Sequence, residues 1–198
     1  MSETATSQDH VSYYIDHTIY TGRPADTTSR LPKEIRTYDL LDSLGITYAR
    51  ADHDTLPTME ACQEVGNLLG IEICKNLFLR NTQKTAFYLL ILPGSKKFKT
   101  AALSKQIGSA RLSFAEPEFM EQYLNITPGS VSVLGLMNDP ENKVRLLIDK
   151  DILKNHPYFG CHPCINTSSL KFRTEDLLNK ILPAIHHDYT MVDLPYAE

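Results

Sequence analysis

The sequence contains no apolar run of the roughly 18 residues that a membrane span needs. Residues Met1 to His10 are polar and lack the apolar centre of a secretory signal, so a cytoplasmic protein is expected. Only four cysteines are present, and in a cytoplasmic chain of this length we expect reduced thiols rather than a disulfide framework. A P-loop, a dinucleotide fingerprint and a nucleophile-elbow serine are also missing, which argues against three common enzyme classes.

The composition is that of an ordinary globular domain, with 42% hydrophobic and 22% charged residues in 198. Residues 1–32 are polar with little periodicity and are predicted to form an N-terminal arm or appendage, and residues 33–198 the functional domain. Hairpin-linked strands alternate there with helices. This order predicts an α+β, or mixed α/β, fold in which one largely antiparallel central sheet is packed by helices.

Cap and turn residues divide the domain into elements. A helix ends at Gly45, and a second helix is predicted between a cap at Thr58 and a stop at Gly70. Strand-like runs over 74–80 and 85–92 flank a polar turn, which is typical of a hairpin. Further strands are expected over 131–136 and 144–149, and Thr174 is predicted to cap a terminal helix.

Acidic residues are absent from one long stretch, although the net charge of the chain is −4. Residues 73–115 contain no Asp or Glu and hold eight of the 20 basic residues. One interpretation is a basic sector that attracts a polyanion to one face of an acidic protein. The alternative is a chance cluster of solvated lysines.

Two short motifs could carry chemistry. Lys75 and Asn76 open a buried strand, where a cation can hold a phosphate or polarise a carbonyl, although a lysine there can also simply extend to solvent. Gly129 and Ser130 form a turn whose backbone N–H groups could approach a ligand closely, or which only leads into a strand.

A third motif spans residues 160–166 and allows several interpretations. Cys161 and Cys164 could be a redox pair, but no helix start follows them to lower a thiol pKa. They could join His162 in a zinc site, but a second ligand pair at suitable spacing is missing. His162 and Asn166 could also belong to an organic active site, or to a plain turn. His53 and the pair at 186–187 are expected to be solvated.

Several segments follow one another in an order and at a spacing that suggest a known family. They are residues 74–79, 88–90, 111–114, 127–131, 138–139, and His162-Pro163 with Asn166. Taken together, they resemble the stand-alone prolyl-tRNA editing (YbaK-like) family, in particular its alanyl-tRNA(Pro) deacylase, PrdX-like branch. The resemblance covers about residues 35–182.

The resemblance implies a mixed α/β fold around a small pocket, with no metal and no cofactor. It implies that Lys75 and His162 are catalytic, and that the basic sector contacts tRNA. The implied pocket residues are Asn76, Gly129, Ser130, Gly160, Pro163 and Asn166, and the candidate tRNA contacts are Arg80, Lys84, Lys96, Lys97 and Lys99.

The implied reaction is hydrolysis of the aminoacyl ester of mischarged tRNA(Pro), with alanine as the expected amino acid. The expected partner is therefore tRNA(Pro), with neither DNA nor a membrane involved, and the oligomeric state is left open. Three alternatives remain: a deacylase for cysteinyl-tRNA(Pro), a non-catalytic binder of aminoacyl-tRNA or amino acid, and a thiol-redox protein that uses Cys161 and Cys164.

Overall fold

A computed structural model describes residues 12–196 of the chain. The first eleven residues of the expected N-terminal arm, and the last two residues of the chain, lie outside this range. Within the described residues, no helix has the length and apolar character needed to cross a membrane.

The strands form two separate sheets. The strand bounds are β1 Tyr20–Thr21, β2 Ala49–Asp52, β3 Cys74–Asn81, β4 Phe87–Pro93, β5 Leu112–Phe114, β6 Val144–Asp149, β7 Tyr158–Cys161, β8 Ser168–Arg173 and β9 Tyr189–Val192. The smaller sheet is antiparallel, with the order β1-β2-β8-β7, and the larger one is mixed, with the order β5-β3-β4-β6-β9. Strands β4, β6 and β9 run parallel, while β3 pairs antiparallel with both β4 and β5.

The helices lie between these strands in the chain. They are α1 Pro32–Ser43, α2 Met59–Leu69, α3 Thr100–Ile107, α4 Pro117–Leu124 and α5 Lys150–Asn155, with a 3-10 helix over Val133–Asn138. The C-terminal helix has three consecutive pieces, Thr174–Asp176, the π-helical Leu177–Ile181, and Leu182–Ala184. The α+β class expected from the sequence is confirmed, but the strands form two sheets rather than one.

Local capping residues explain where several helices begin and end. The Thr58 hydroxyl accepts a 3.2 Å hydrogen bond from the Ala61 amide, and Gly70 ends α2 at a φ of 65°. Both predictions for this helix are confirmed. The cap predicted at Thr174 is wrong, because its hydroxyl donates instead to the carbonyl of His156, outside the helix.

The main core lies between the two sheets. It joins one face of β3, β4 and β6 to β7, β8, α1, α4 and the C-terminal helix. A second core lies on the other face of the larger sheet, beneath α3 and Leu194, which follows β9. Every residue of β4 is buried, so this strand is the centre of the molecule. The ends of β3 and β7 meet beside the main core, and the pocket described below lies there.

The strand predicted over 131–136 is wrong, because Val133–Asn138 is a 3-10 helix. The Ser132 hydroxyl accepts a hydrogen bond from the Leu134 amide at 3.2 Å and so caps that helix. Residues 132–136 are all buried, and a continuous apolar run has no periodicity that separates a strand from a helix. Strand β9 was not predicted either, because its residues follow the histidine pair at 186–187, which was expected to be solvated.

The described part of the N-terminal arm packs on the smaller sheet. Ile15 is buried and bridges to His53, and β1 pairs with β2. At the start of α1, the Arg30 guanidinium lies 2.8 Å from the Asp52 carboxylate, which also binds Arg50. These contacts hold residues 12–31 against β2.

Candidate functional site

A cavity of about 240 Å³ lies where the start of β3 meets the end of β7. Its polar groups come from distant parts of the chain: the start of β3, the turn before the 3-10 helix, the end of β7 with the residue after it, and the start of β8. The rest of the wall is mostly apolar. The lining residues are Leu56, Met59, Cys62, Ile71, Ile73, Cys74, Lys75, Asn76, Leu77, Gly129, Val131, Gly160, Cys161, His162 and Ser169.

Lys75 is the second residue of β3 and is half-buried. Its Nζ donates a 2.7 Å hydrogen bond to the backbone carbonyl of Lys96. An ammonium group has three N–H donors, so this bond fixes the side chain and leaves two donors for a ligand in the cavity.

His162 follows β7 and presents one ring nitrogen to the cavity. Its Nδ1 donates to the Ser168 carbonyl at 2.8 Å, which leaves Nε2 as a hydrogen-bond acceptor. Burial lowers the pKa of His162 to about 4, with His53 acting in the same direction and the Ser168 bond opposing them. The imidazole is therefore neutral at neutral pH. The Ser132 hydroxyl donates to the His162 carbonyl at 2.6 Å and holds the backbone here.

Asn76 lines the cavity and carries a buried, unpaired amide oxygen beside it. Its Oδ1 is buried and lacks a hydrogen-bond partner in the described structure, while its Nδ2 donates to the Cys74 carbonyl at 3.4 Å. A buried amide oxygen without a partner is rare, since leaving it unsatisfied costs about 1–3 kcal/mol. A ligand with an N–H donor would satisfy it.

Two glycines form part of the cavity wall, at positions where a side chain would strain the backbone or displace a neighbour. Gly129 has a φ of +88°, and a Cβ at this position would lie 3.4 Å from the Asn166 amide nitrogen. A Cβ on Gly160 would lie 2.2 Å from the Cδ1 atom of Ile71. The cavity is therefore bounded on these sides by peptide groups.

The three remaining expected pocket residues do not line the cavity, which corrects that part of the expectation. Ser130 is buried and donates to the Thr127 carbonyl at 2.9 Å within its own turn. Pro163 is buried after His162, and Asn166 lies behind Gly129, where its Oδ1 is also buried and unpaired. These residues shape the turns that carry the lining groups.

His53, expected to be solvated, is buried beside the cavity. Its Nδ1 donates to the Asp54 carbonyl at 2.7 Å, and its Nε2 accepts from the Ser169 hydroxyl at 2.9 Å. Burial lowers the pKa of His53, and its ring centre lies 6.0 Å from that of His162. Along a strand, side chains alternate between the two faces of the sheet. Because Ala51 in β2 is buried, this alternation would have predicted that His53, two residues later, is buried as well.

His187 was also expected to be solvated, and that prediction is wrong too. The ring is buried, and its Nε2 lies 3.3 Å from the Asp139 carboxylate. The same carboxylate accepts two backbone hydrogen bonds at the start of β6, so His187 supports the turn before β6 and is not among the residues that line the cavity.

The two late cysteines do not form a reactive pair. All four cysteines lie within the described residues and are free thiols. Burial raises the pKa of Cys164 to about 12 and raises the pKa of Cys161 as well. Thiol exchange needs a thiolate, so this environment disfavours a redox role. Among the described residues there is no group of three or more His, Cys, Asp or Glu side chains placed to hold a metal ion.

Three of the five candidate tRNA contacts differ from the expectation of free surface cations. Lys96 is 1% exposed, and its Nζ lies 2.8 Å from Asp149 and 2.7 Å from Asp151. Burial lowers the pKa of Lys96, but hydrogen bonds to these carboxylates outweigh this effect and raise it overall. Its charge is neutralised inside the protein and is not available to a phosphate, which corrects the sequence-based assignment.

Arg80 and Lys84 share one carboxylate, that of Glu116, the first acid after the acid-free stretch. The Arg80 guanidinium binds it through two nitrogens at 3.1 and 2.9 Å, and Lys84 Nζ lies 2.7 Å away. Lys97 and Lys99 are exposed and belong to the segment whose Lys96 carbonyl contacts Lys75. Of the five candidates, Lys97 and Lys99 are therefore the exposed cations that form no ion pair with another described residue.

Comparison with known proteins gives concordant results. The model of a family described as the aminoacyl-tRNA editing domain matches residues 53–180. The chain is 32% identical over 154 residues to the prolyl-tRNA editing protein ProX of Acetoanaerobium sticklandii, covering 78% of this chain and 93% of that relative. It is 28% identical over 142 residues to prolyl-tRNA synthetase associated domain-containing protein 1 of Bos taurus, covering 70% and 82% of the two chains.

A solved structure of a candidate trans-editing enzyme for prolyl-tRNA synthetase has a similar fold. It aligns with a TM-score of 0.60 at 17% identity, over 84% of this chain and 99% of that chain. The family match covers every polar residue that lines the cavity. The chain belongs to the aminoacyl-tRNA editing domain family, and its cavity is the candidate active site of an aminoacyl-tRNA editing enzyme.

Proposed function

We propose that this protein hydrolyses the aminoacyl ester of mischarged tRNA(Pro), with alanine as the preferred amino acid. The observation that carries the proposal is the meeting, in one small cavity, of a fixed ammonium, a neutral imidazole and an unpaired amide oxygen. These groups match the ester oxygen, the attacking water and the α-ammonium of an aminoacyl group.

The α-ammonium is assigned to Asn76. Its Oδ1 is a buried acceptor without a partner among the described residues, and a cationic N–H donor makes the stronger kind of hydrogen bond to it. The peptide groups of Gly129 and Gly160 border the same space. This arrangement supports recognition of a free α-amino group and disfavours N-acylated or uncharged ligands.

Lys75 is assigned to the ester carbonyl. When water attacks, the carbonyl oxygen acquires negative charge, and a fixed ammonium donor stabilises it. Because Lys75 already donates to the Lys96 carbonyl, little reorganisation is required at the moment of reaction. Loss of one such donor typically lowers the rate about 10²–10³-fold.

His162 is assigned to the water. Its Nε2 accepts a hydrogen bond and orients the water toward the carbonyl carbon, but a pKa of about 4 makes it a weak base. The water oxygen bonds to the carbonyl carbon, the bond to the ribose oxygen breaks, and the water proton passes to that ribose oxygen. The neighbouring ribose hydroxyl of the terminal adenosine can relay this proton. The products are a free amino acid and uncharged tRNA.

The apolar wall supports selection of a small side chain. Ile71, Val131 and Leu56 face the cavity, and the side chain of Ile71 occupies the space above Gly160. A synthetase pocket made for proline rejects the smaller alanine by only about 1–3 kcal/mol per missing methylene. A second site that is too small for proline completes the selection, because it admits the alanyl ester and excludes the prolyl ester.

The proposal is tested with tRNA(Pro) charged with alanine, cysteine or proline, by following ester loss under identical conditions. Faster loss of the alanyl ester and no acceleration for the prolyl ester are expected. Faster loss of the cysteinyl ester would assign the protein to a cysteine-selective branch. If no ester is cleaved above background, the protein is a binder at most and the hydrolase proposal fails.

An Ile71→Ala variant tests the size selection within the same assay. Removing this side chain enlarges the cavity over Gly160, so hydrolysis of the prolyl ester should rise relative to the alanyl ester. Unchanged discrimination would contradict the assignment of this wall to the amino acid side chain.

A further inference from the structure

A buried ion cluster lies directly behind the catalytic lysine. The Lys96 ammonium is enclosed by Asp149 at 2.8 Å and Asp151 at 2.7 Å, with Asp193 at 3.4 Å. Lys96 is 1% exposed and Asp149 is fully buried. Burying several charges together is seldom the most stabilising choice, since apolar residues of similar volume often do as well. The cluster therefore requires an explanation besides stability.

The backbone of Lys96 provides that explanation, because its carbonyl accepts the 2.7 Å hydrogen bond from Lys75 Nζ. The Lys96 amide donates to the Pro93 carbonyl at 3.0 Å, so the residue sits in a tight turn directly after β4. Its side chain anchors this exposed turn to the end of β6, where Asp149 lies. The position of the carbonyl is thus fixed by the side chain of the same residue.

The C-terminal segment closes the cluster from the other side. The Leu194 amide donates to Asp149 at 2.9 Å, and the Tyr196 hydroxyl donates to Asp151 at 2.7 Å. The Tyr196 ring lies 4.9 Å from Lys96 Nζ, and the Lys97 amide donates to the Pro195 carbonyl at 3.2 Å. Residues 193–196 therefore hold both the side chain and the backbone of the turn.

We propose that Lys96 is a positioning residue: with the C-terminal segment 193–196, it holds its own carbonyl so that Lys75 Nζ points at the ester oxygen. The activity measurements below rest on the proposed function, and the spectroscopic measurement does not. The segment 193–196 lies beyond the family match at 53–180, so this chain supplies part of the support of its catalytic lysine from outside the matched region.

The kinetic test compares Lys96→Met with Lys154→Met, which removes an exposed lysine from the neighbouring helix α5. A misplacement of about 1 Å can lower a rate about 10²-fold, so Lys96→Met should lower kcat roughly 10- to 100-fold with KM within about twofold of wild type. Lys154→Met should match wild type. An unchanged kcat in folded Lys96→Met would overturn the proposal.

A double-variant cycle separates positioning from general damage. In a Lys75→Ala background, Lys96→Met should lower the remaining rate less than twofold, because its effect passes through Lys75. An undiminished loss in that background would mean that Lys96 supports the fold and not Lys75. Lys96→Arg, which keeps the charge in the cluster, should restore part of kcat.

Tyr196→Ala covers the case in which Lys96→Met does not fold, because Tyr196 is 57% exposed and its loss spares the core. We expect a severalfold loss of kcat that again disappears in the Lys75→Ala background. If kcat of Tyr196→Ala equals that of wild type, the role assigned to the C-terminal segment is refuted.

The spectroscopic test reads the hydrogen bond without any substrate. In ¹H–¹⁵N spectra that detect lysine ammonium groups, Lys75 of the wild type should give a protected signal, and this signal should shift or broaden in Lys96→Met or Tyr196→Ala. A Lys75 signal identical in all three proteins would overturn the proposal even if the enzyme is active. A wild type that cleaves no ester would refute the proposed function alone, since this measurement still decides the positioning.

Discussion

The neutral state of His162 has a measurable effect on stability. The ordinary pKa of histidine is 6.5, and in the folded protein burial lowers the pKa of His162 to about 4. Between these values the unfolded chain binds a proton that the folded protein does not. Stability is therefore complete above pH 6.5 and falls as the pH is lowered toward 4.

The size of this effect follows from the two pKa values. From pH 6.5 to pH 5 the interval is 1.5 pH units, and each unit corresponds to about 1.4 kcal/mol, so His162 alone removes about 2 kcal/mol between pH 7 and pH 5. Burial lowers the pKa of His53 as well, so its contribution has the same sign.

The measurement is denaturant unfolding of wild type and His162→Asn at pH 7 and pH 5. Asparagine retains a donor that can reach the Ser168 carbonyl but does not titrate, and the contribution of His53 is common to both proteins. The variant should lose about 2 kcal/mol less than wild type between the two pH values. Equal losses would refute the buried, neutral His162 on which the assignment of the water depends.

Three further predictions concern the surface, the turn and the thiols. Replacing both Lys97 and Lys99 with uncharged residues should raise KM roughly fivefold, since two exposed contacts contribute about 1 kcal/mol in all. The same change should weaken the salt dependence of KM, and an unaffected KM at low salt would exclude the two lysines as tRNA contacts. Gly129→Ala should lower the free energy of unfolding by about 1–2 kcal/mol, because a residue with a Cβ is strained at a φ of +88°. A fully stable variant with wild-type KM would contradict this account of the turn. Cys164→Ala should keep at least about half of the wild-type turnover with or without oxidant, since burial raises the pKa of this thiol to about 12. Loss of turnover in this variant would support the thiol-redox alternative.

Features of the fold that depend on nearby residues were predictable from the sequence. The cap at Thr58, the stop at Gly70 and the hairpin of β3 and β4 each depend on a few adjacent residues, and all three are confirmed. The 3-10 helix at Val133–Asn138 was not predictable in this way, because Val133, Leu134 and Leu136 are all buried and leave no periodicity that separates a helix from a strand.

Much of the candidate site was also predictable from the sequence. Lys75, Asn76, Gly129, Gly160 and His162 were singled out from motifs and resemblance, and the structure places all five on one cavity.

Which basic side chains are buried in ion pairs could not be predicted from the adjacent sequence. Lys96 stands in an acid-free stretch and looks like a surface charge, but its carboxylate partners Asp149 and Asp193 lie 53 and 97 residues further along the chain. The partner of buried His53 at Ser169 is likewise 116 residues away. Only the tertiary fold reveals such pairs, so charge counting overstated the accessible basic surface.

The most direct test of the central claim is single-turnover hydrolysis of alanyl-tRNA(Pro) by wild type and Lys75→Ala, with tRNA binding measured in parallel. The account predicts rapid hydrolysis by wild type, and a rate about 10²–10³-fold lower in the variant with nearly unchanged tRNA binding. A variant that cleaves the ester as fast as wild type would show that the cavity at Lys75 is not where the ester is hydrolysed.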